Sequence, residues 1–63
     1  MQFKIGQAIR RKSWNKHQYL VITGFDYYYD SDCLTPYGYL HHRTGNIPFH
    51  VKPNNHDDWE IVF

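Results

Sequence analysis

Apolar and polar positions along this chain alternate in short runs, and no stretch repeats them at i, i+3, i+4 and i+7 over three turns. The period is that of β-strands. Phe3, Ile5 and Ile9 open an alternating segment around Gly6. Gln18, Tyr19, Leu20, Val21, Ile22 and Thr23 give the strongest strand signal, β-branched and aromatic and stopped by Gly24. Residues 25–29 are a candidate second strand after that glycine. Asp30, Ser31 and Asp32 read as a loop, and residues 36–42 as a strand with a Gly-bent start. Thr44, Gly45 and Asn46 read as a turn, because Gly and Asn tolerate positive φ. Ile47, Phe49 and Val51 then alternate with Pro48, His50 and Lys52, and Pro48, which has no N–H to donate, marks an edge strand. Residues 53–57 read as a loop. Trp59, Ile61 and Phe63 alternate with Glu60 and Val62 in a closing strand.

About five short strands this closely spaced predict an all-β fold, a small, strongly bent SH3-like barrel. Residues 1–63 make a single domain. The expected core draws on Ile5, Ile9, Leu20, Ile22, Phe25, Leu40, Ile47, Phe49, Val51 and Ile61.

Size changes this picture. A chain of 63 residues buries only about 60% of its unfolded surface, and domains this small usually need a disulfide, a metal or a partner subunit. Cys33 is the only cysteine, which excludes an internal disulfide and fits a reducing compartment. Association is the supplement that remains. Net charge is +1, unevenly spread: residues 1–20 carry Lys4, Arg10, Arg11, Lys12 and Lys16 with no acid, and the remainder sums to −4. The balanced total argues against general duplex-DNA binding. The asymmetry suits a local anion site or attraction between subunits, unless the fold intermixes the charges. No apolar run approaches the ~18 residues that span a bilayer, and the first residues show no secretory pattern. The expectation is a soluble, cytoplasmic protein with no membrane partner.

Candidate chemistry is sparse. No serine sits in a nucleophile elbow and no glycine loop is built for phosphate, so no catalytic residue is assigned and the chain reads as a non-enzyme without cofactors. His41 and His42 point to opposite faces of a strand and do not easily share a metal. His56, Asp57 and Asp58 suit turn capping better than ligation, and no metal site is assigned. Aromatics are the conspicuous resource, at 19% with six tyrosines. Trp14, between Arg11 and Lys16, either stacks on a planar ligand beside an anion or covers the core. Trp59, in phase with Ile61, suits core packing. Tyr27, Tyr28 and Tyr29 occupy both faces of their segment, which exposes at least one of them.

Two segments carry a resemblance. Arg10-Arg11-Lys12-Ser13-Trp14-Asn15 and Asp57-Asp58-Trp59-Glu60-Ile61-Val62 resemble the Arg-Lys-x-Trp-Asn and terminal Asp-Trp-Glu-Ile-Val motifs of the phage Thoeris anti-defence sponge family. That resemblance implies a homo-oligomer in a host cell that sequesters a cyclic nucleotide immune signal between subunits without cleaving it. It carries over Trp14 and Trp59 as pocket aromatics and Arg11 and Asn15 as polar contacts. With Tyr28 and Tyr37 added from the residue reading, the candidate ligand-binding set is Arg11, Trp14, Asn15, Tyr28, Tyr37 and Trp59. Two other readings stay open. One is an SH3-like module that docks on a host protein or inhibits a host enzyme, with Tyr27, Tyr28 and Tyr29 as its hot spot. The other is a single-stranded nucleic-acid binder that stacks bases on Trp14 and Tyr37.

Overall fold

The structure is a computed structural model that describes residues 3–15, 17–29, 32–53 and 59–62. Its strands are β1 (Ala8–Arg11), β2 (Tyr19–Tyr27), β3 (Leu34–His42), β4 (Gly45–His50) and β5 (Trp59–Ile61). All neighbours are antiparallel, in the order β4-β3-β2-β1-β5, the arrangement of a small SH3-like barrel. The all-β expectation holds. Among the described residues no helix is long and apolar enough to cross a membrane.

Gly24 does not stop the second strand. β2 runs through it, and the register against β3 slips between Ile22 and Gly24. A one-residue bulge inverts the side-chain phase of everything beyond it. Leu20 and Ile22 face the core before the slip, and Phe25 packs against the same core after it. Two glycines permit this. A Cβ on Gly38, opposite Ile22, would lie 1.8 Å from the Val21 carbonyl oxygen. A Cβ on Gly24 would lie 2.5 Å from the Tyr37 hydroxyl oxygen, so the Tyr37 ring covers the bare backbone.

At Ile22, just before the bulge, the strand is held from its other side. The Gly6 N–H donates to the Ile22 carbonyl at 2.8 Å, and the Ile22 N–H donates to Gln7 at 2.9 Å. Gly6 has φ of 94°, a conformation that turns the chain just before β1. The β3–β4 turn falls on Arg43 and Thr44, one residue earlier than the spacing predicts, and Gly45, with φ of 135°, already opens β4. β4 is an edge strand, as Pro48 indicates.

Ile9, Leu20, Ile22, Val51 and Trp59 form the core cluster, with Phe3, Trp14, Phe25 and Phe49 packed against it. Ala8 and Leu40 are also buried. Three expected core residues are exposed: Ile5, Ile47 and Ile61. Ile5 sits in the turn ahead of β1. Ile47 and Ile61 lie on the edge strands β4 and β5, where a neighbour covers one side only. Of the loop assigned to residues 53–57, residues 54–57 lie outside the described residues, as do Asp58 and Phe63.

Candidate functional site

The two indoles come together. After β1 the Trp14 N–H donates to the Arg11 carbonyl at 2.9 Å, which folds Trp14 back onto the barrel. Trp14 meets Trp59 edge-to-face at 5.1 Å and Phe49 at 5.8 Å between ring centroids. The Arg11 guanidinium lies 5.8 Å from the Trp59 ring centroid. Trp59 is 7% exposed, and its buried Nε1 has no hydrogen-bond partner among the described residues. Trp59 therefore packs in the core, and half-buried Trp14 covers it. Arg10, the neighbour of Arg11, pairs with Glu60 across the β1–β5 ladder at 2.8 Å.

The outer face of β3 is different. Along this strand Tyr37 is exposed, Gly38 buried, Tyr39 exposed, Leu40 buried and His41 half-buried. Because side chains alternate along a strand, Tyr37, Tyr39 and His41 share one face, and the row spans about 13 Å. Their cross-strand neighbours extend it. Tyr37 lies between Gly24 and His50, Tyr39 between Val21 and Pro48, and His41 between Tyr19 and Asn46. The Tyr19 and His41 rings are parallel within 5°, with centroids 4.9 Å apart. The His50 ring contacts Tyr28 at 4.9 Å and Tyr37 at 5.7 Å. Its Nε2 is 2.8 Å from the Thr35 hydroxyl, which fixes the ring.

An open groove lies at each end of this aromatic stripe. One, of about 490 Å³, is lined by Asp26, Tyr27, Tyr29, Tyr37, Pro48 and His50, together with Gly38 and Phe49. The other, of about 570 Å³, is lined by Asn15, His17, Tyr19, His41, His42 and Arg43. The first groove carries a carboxylate. Among the described residues the second has none, and it gathers three imidazoles and a guanidinium. The stripe thus runs from an acidic end to a cationic end.

The six residues singled out in the sequence fall into three places. Arg11, Trp14 and Trp59 form the indole cluster. Tyr28 and Tyr37 flank His50. Asn15 lines the cationic groove. Tyr19, Tyr39, His41, His42 and Arg43 were not singled out as ligand contacts. The signal for Tyr39 and His41 was the period-2 spacing from Tyr37, which places all three on one face of a strand. His41 and His42, adjacent in sequence, both reach the cationic groove because the strand ends there. Among the described residues no group of three or more His, Cys, Asp or Glu is placed to hold a metal ion. No family model, no curated protein and no solved structure matches this chain. Fold and surface together define a small all-β barrel with an aromatic stripe between two grooves of unlike charge.

Proposed function

We propose that this chain is a binding module without catalytic activity that sequesters a cyclic nucleotide signal and returns it unchanged. It acts as a counter-defence protein in the cytoplasm of a host cell, as a homo-oligomer. The observation that supports this reading best is the row of Tyr37, Tyr39 and His41 on the outer face of β3, flanked by Tyr19. Aromatic rings on a sheet face stack bases, each contact contributing about 1–3 kcal/mol. A trap working near 10⁻⁷ M needs roughly −10 kcal/mol. Two stacked bases fall short of that, so phosphate contacts and a second covering surface must supply the remainder. Both grooves are open, and ligand sites typically bury 70–90% of a small molecule. A second copy laid over the stripe completes the enclosure. Base stacking on this reading belongs to the tyrosine row rather than to Trp59.

Isothermal titration against a panel of cyclic mono- and dinucleotides tests it. The expected result is sub-micromolar binding to at least one of them, a dimeric or larger mass by light scattering, and intact ligand recovered after denaturation. Silence across the panel removes the reading, and a cleaved product makes the protein an enzyme.

A second reading draws on one specific observation. Tyr29 is 83% exposed and held at a φ of 47°, beside exposed Tyr27 at the acidic groove. Exposed tyrosines of this kind anchor protein interfaces. A stoichiometric host protein captured by the wild type and lost on Tyr29→Ala, with no nucleotide bound, selects this docking role instead.

A further inference from the structure

The groove at the β2 start and β3 end carries charge of one sign. Among the described residues His17, His41, His42 and Arg43 line it with Asn15 and Tyr19, and no carboxylate does. We infer that this groove binds the phosphate of a nucleotide whose base lies along the stripe on the Tyr19–His41 pair and Tyr39. The base half of this assignment rests on the nucleotide reading above; the phosphate half rests on the groove itself.

Its donors are held in place by bonds already made. The Asn15 Oδ1 accepts the His17 N–H at 3.1 Å, which fixes the loop and leaves the amide NH₂ as the remaining donor. The His42 Nδ1 lies 3.0 Å from the Thr44 hydroxyl and receives the Thr44 N–H at 3.5 Å. A hydroxyl can donate to a neutral Nδ1 or accept from a protonated one. The Thr44 N–H can only donate, so the neutral ring with Nδ1 as acceptor satisfies both contacts and leaves Nε2–H as its free donor. Arg43 is exposed in the turn and offers a planar fork suited to phosphate oxygens. His41 is fixed by its stack on Tyr19.

Charge at the far end selects the ligand shape. Asp26, which pairs with Thr35 across β2 and β3, lines the opposite groove and repels a phosphate there. A single strand laid along the row would carry its backbone toward that carboxylate. A compact nucleotide places its phosphate at the cationic end only.

The experiment uses the full chain and four probes: pyrophosphate, 3′,5′-cyclic AMP, adenosine and a ten-nucleotide single strand. Pyrophosphate is expected to shift the ring resonances of His17, His41 and His42 saturably and to leave those of His50 in place. Arg43→Gln is expected to weaken both pyrophosphate and cyclic AMP by about five-fold or more with an unchanged unfolding midpoint. Adenosine is expected to bind at least about ten-fold more weakly than cyclic AMP.

Affinities untouched by both Arg43→Gln and His42→Gln, or shifts confined to His50, overturn the phosphate site. Pyrophosphate bound at these imidazoles with every nucleotide silent keeps the phosphate site and removes the nucleotide reading. A cyclic nucleotide bound tightly but indifferent to Arg43→Gln does the reverse. The single strand binding more than about ten-fold tighter than cyclic AMP overturns the compact ligand.

Discussion

On the inner face of β2 and β3, Leu20, Ile22 and Leu40 are buried, and the indole cluster closes over the core beside them. On the outer face of the same two strands, Tyr19, Tyr37 and Tyr39 stand half-buried or exposed beside His41 and His50. Both faces are aromatic at their margins, yet the rings do opposite work. Inside, Trp14, Trp59 and Phe49 meet edge-to-face and exclude water from a core too small to close without them. Outside, Tyr19 stacks on His41 and the Tyr37 ring lies over Gly24, while Tyr37 and Tyr39 stay exposed. Sheet pleating places a Tyr on one face and its neighbour Gly or Leu on the other, so a single strand, β3, serves both purposes.

The sharpest way to break this division is at the residue where both faces depend on the same backbone. Gly38→Ala places a methyl against the Val21 carbonyl, and neither strand can move without losing the bulge. A domain of this length has about 3–9 kcal/mol of stability, and a loss of about 3 kcal/mol or more is expected. Urea denaturation is expected to show a collapsed or absent cooperative transition, and an unchanged midpoint would contradict the tight approach. Next in size is Trp59→Ala. Emptying a buried indole site costs about 3–5 kcal/mol, and the midpoint is expected to fall steeply. Retention of near-native stability would mean that Trp59 is not a core residue.

The outer face is expected to answer in the opposite currency. Tyr39→Ala should change stability by less than about 1 kcal/mol, because the ring is 49% exposed. It should weaken nucleotide binding by about ten-fold, the lower part of the range for one stacked base. A stability loss equal to that of Trp59→Ala would erase the distinction between the faces. Smallest of all is Glu60→Gln, which removes the Arg10 partner. Glu60 is 42% exposed, so the cost is expected to stay below about 1 kcal/mol and to shrink further in high salt. A larger, salt-insensitive loss would place that pair inside the core's energetics.

Much of the fold could be read from period-2 spacing. The strand around Leu20 and Ile22, the strand through Leu40, the edge character of Pro48 and the closing strand at Trp59 are all present. The reading failed where one residue changed the phase. Gly24 marks a bulge that carries β2 onward, rather than a stop. A glycine in sequence signals that a side chain is unwelcome, without saying whether a turn, a bulge or an overlying ring excludes it. Ile5, Ile47 and Ile61 were misplaced for a related reason. Their apolar character is local, whereas burial depends on how many strands lie alongside.

The candidate site was less legible than the fold. Tryptophan and its charged neighbours drew attention because they are chemically distinctive, and the structure places Trp59 in the core. Tyr19 and His41 are distant in sequence, yet their rings stack because Tyr19 pairs with His41 across β2 and β3. That pairing depends on register, and no local pattern carries it.

By itself, the sequence determined the all-β class, the single cysteine that excludes an internal disulfide, and an alternation that puts Tyr37, Tyr39 and His41 on one face. Each follows from local chemistry or from a period of two. Tertiary structure decided which face of each strand is covered, that the indoles pack together, and that His17 shares one groove with the consecutive His41, His42 and Arg43. Those outcomes depend on strand register and on the bulge at Gly24. Both are set by contacts between residues far apart in the chain.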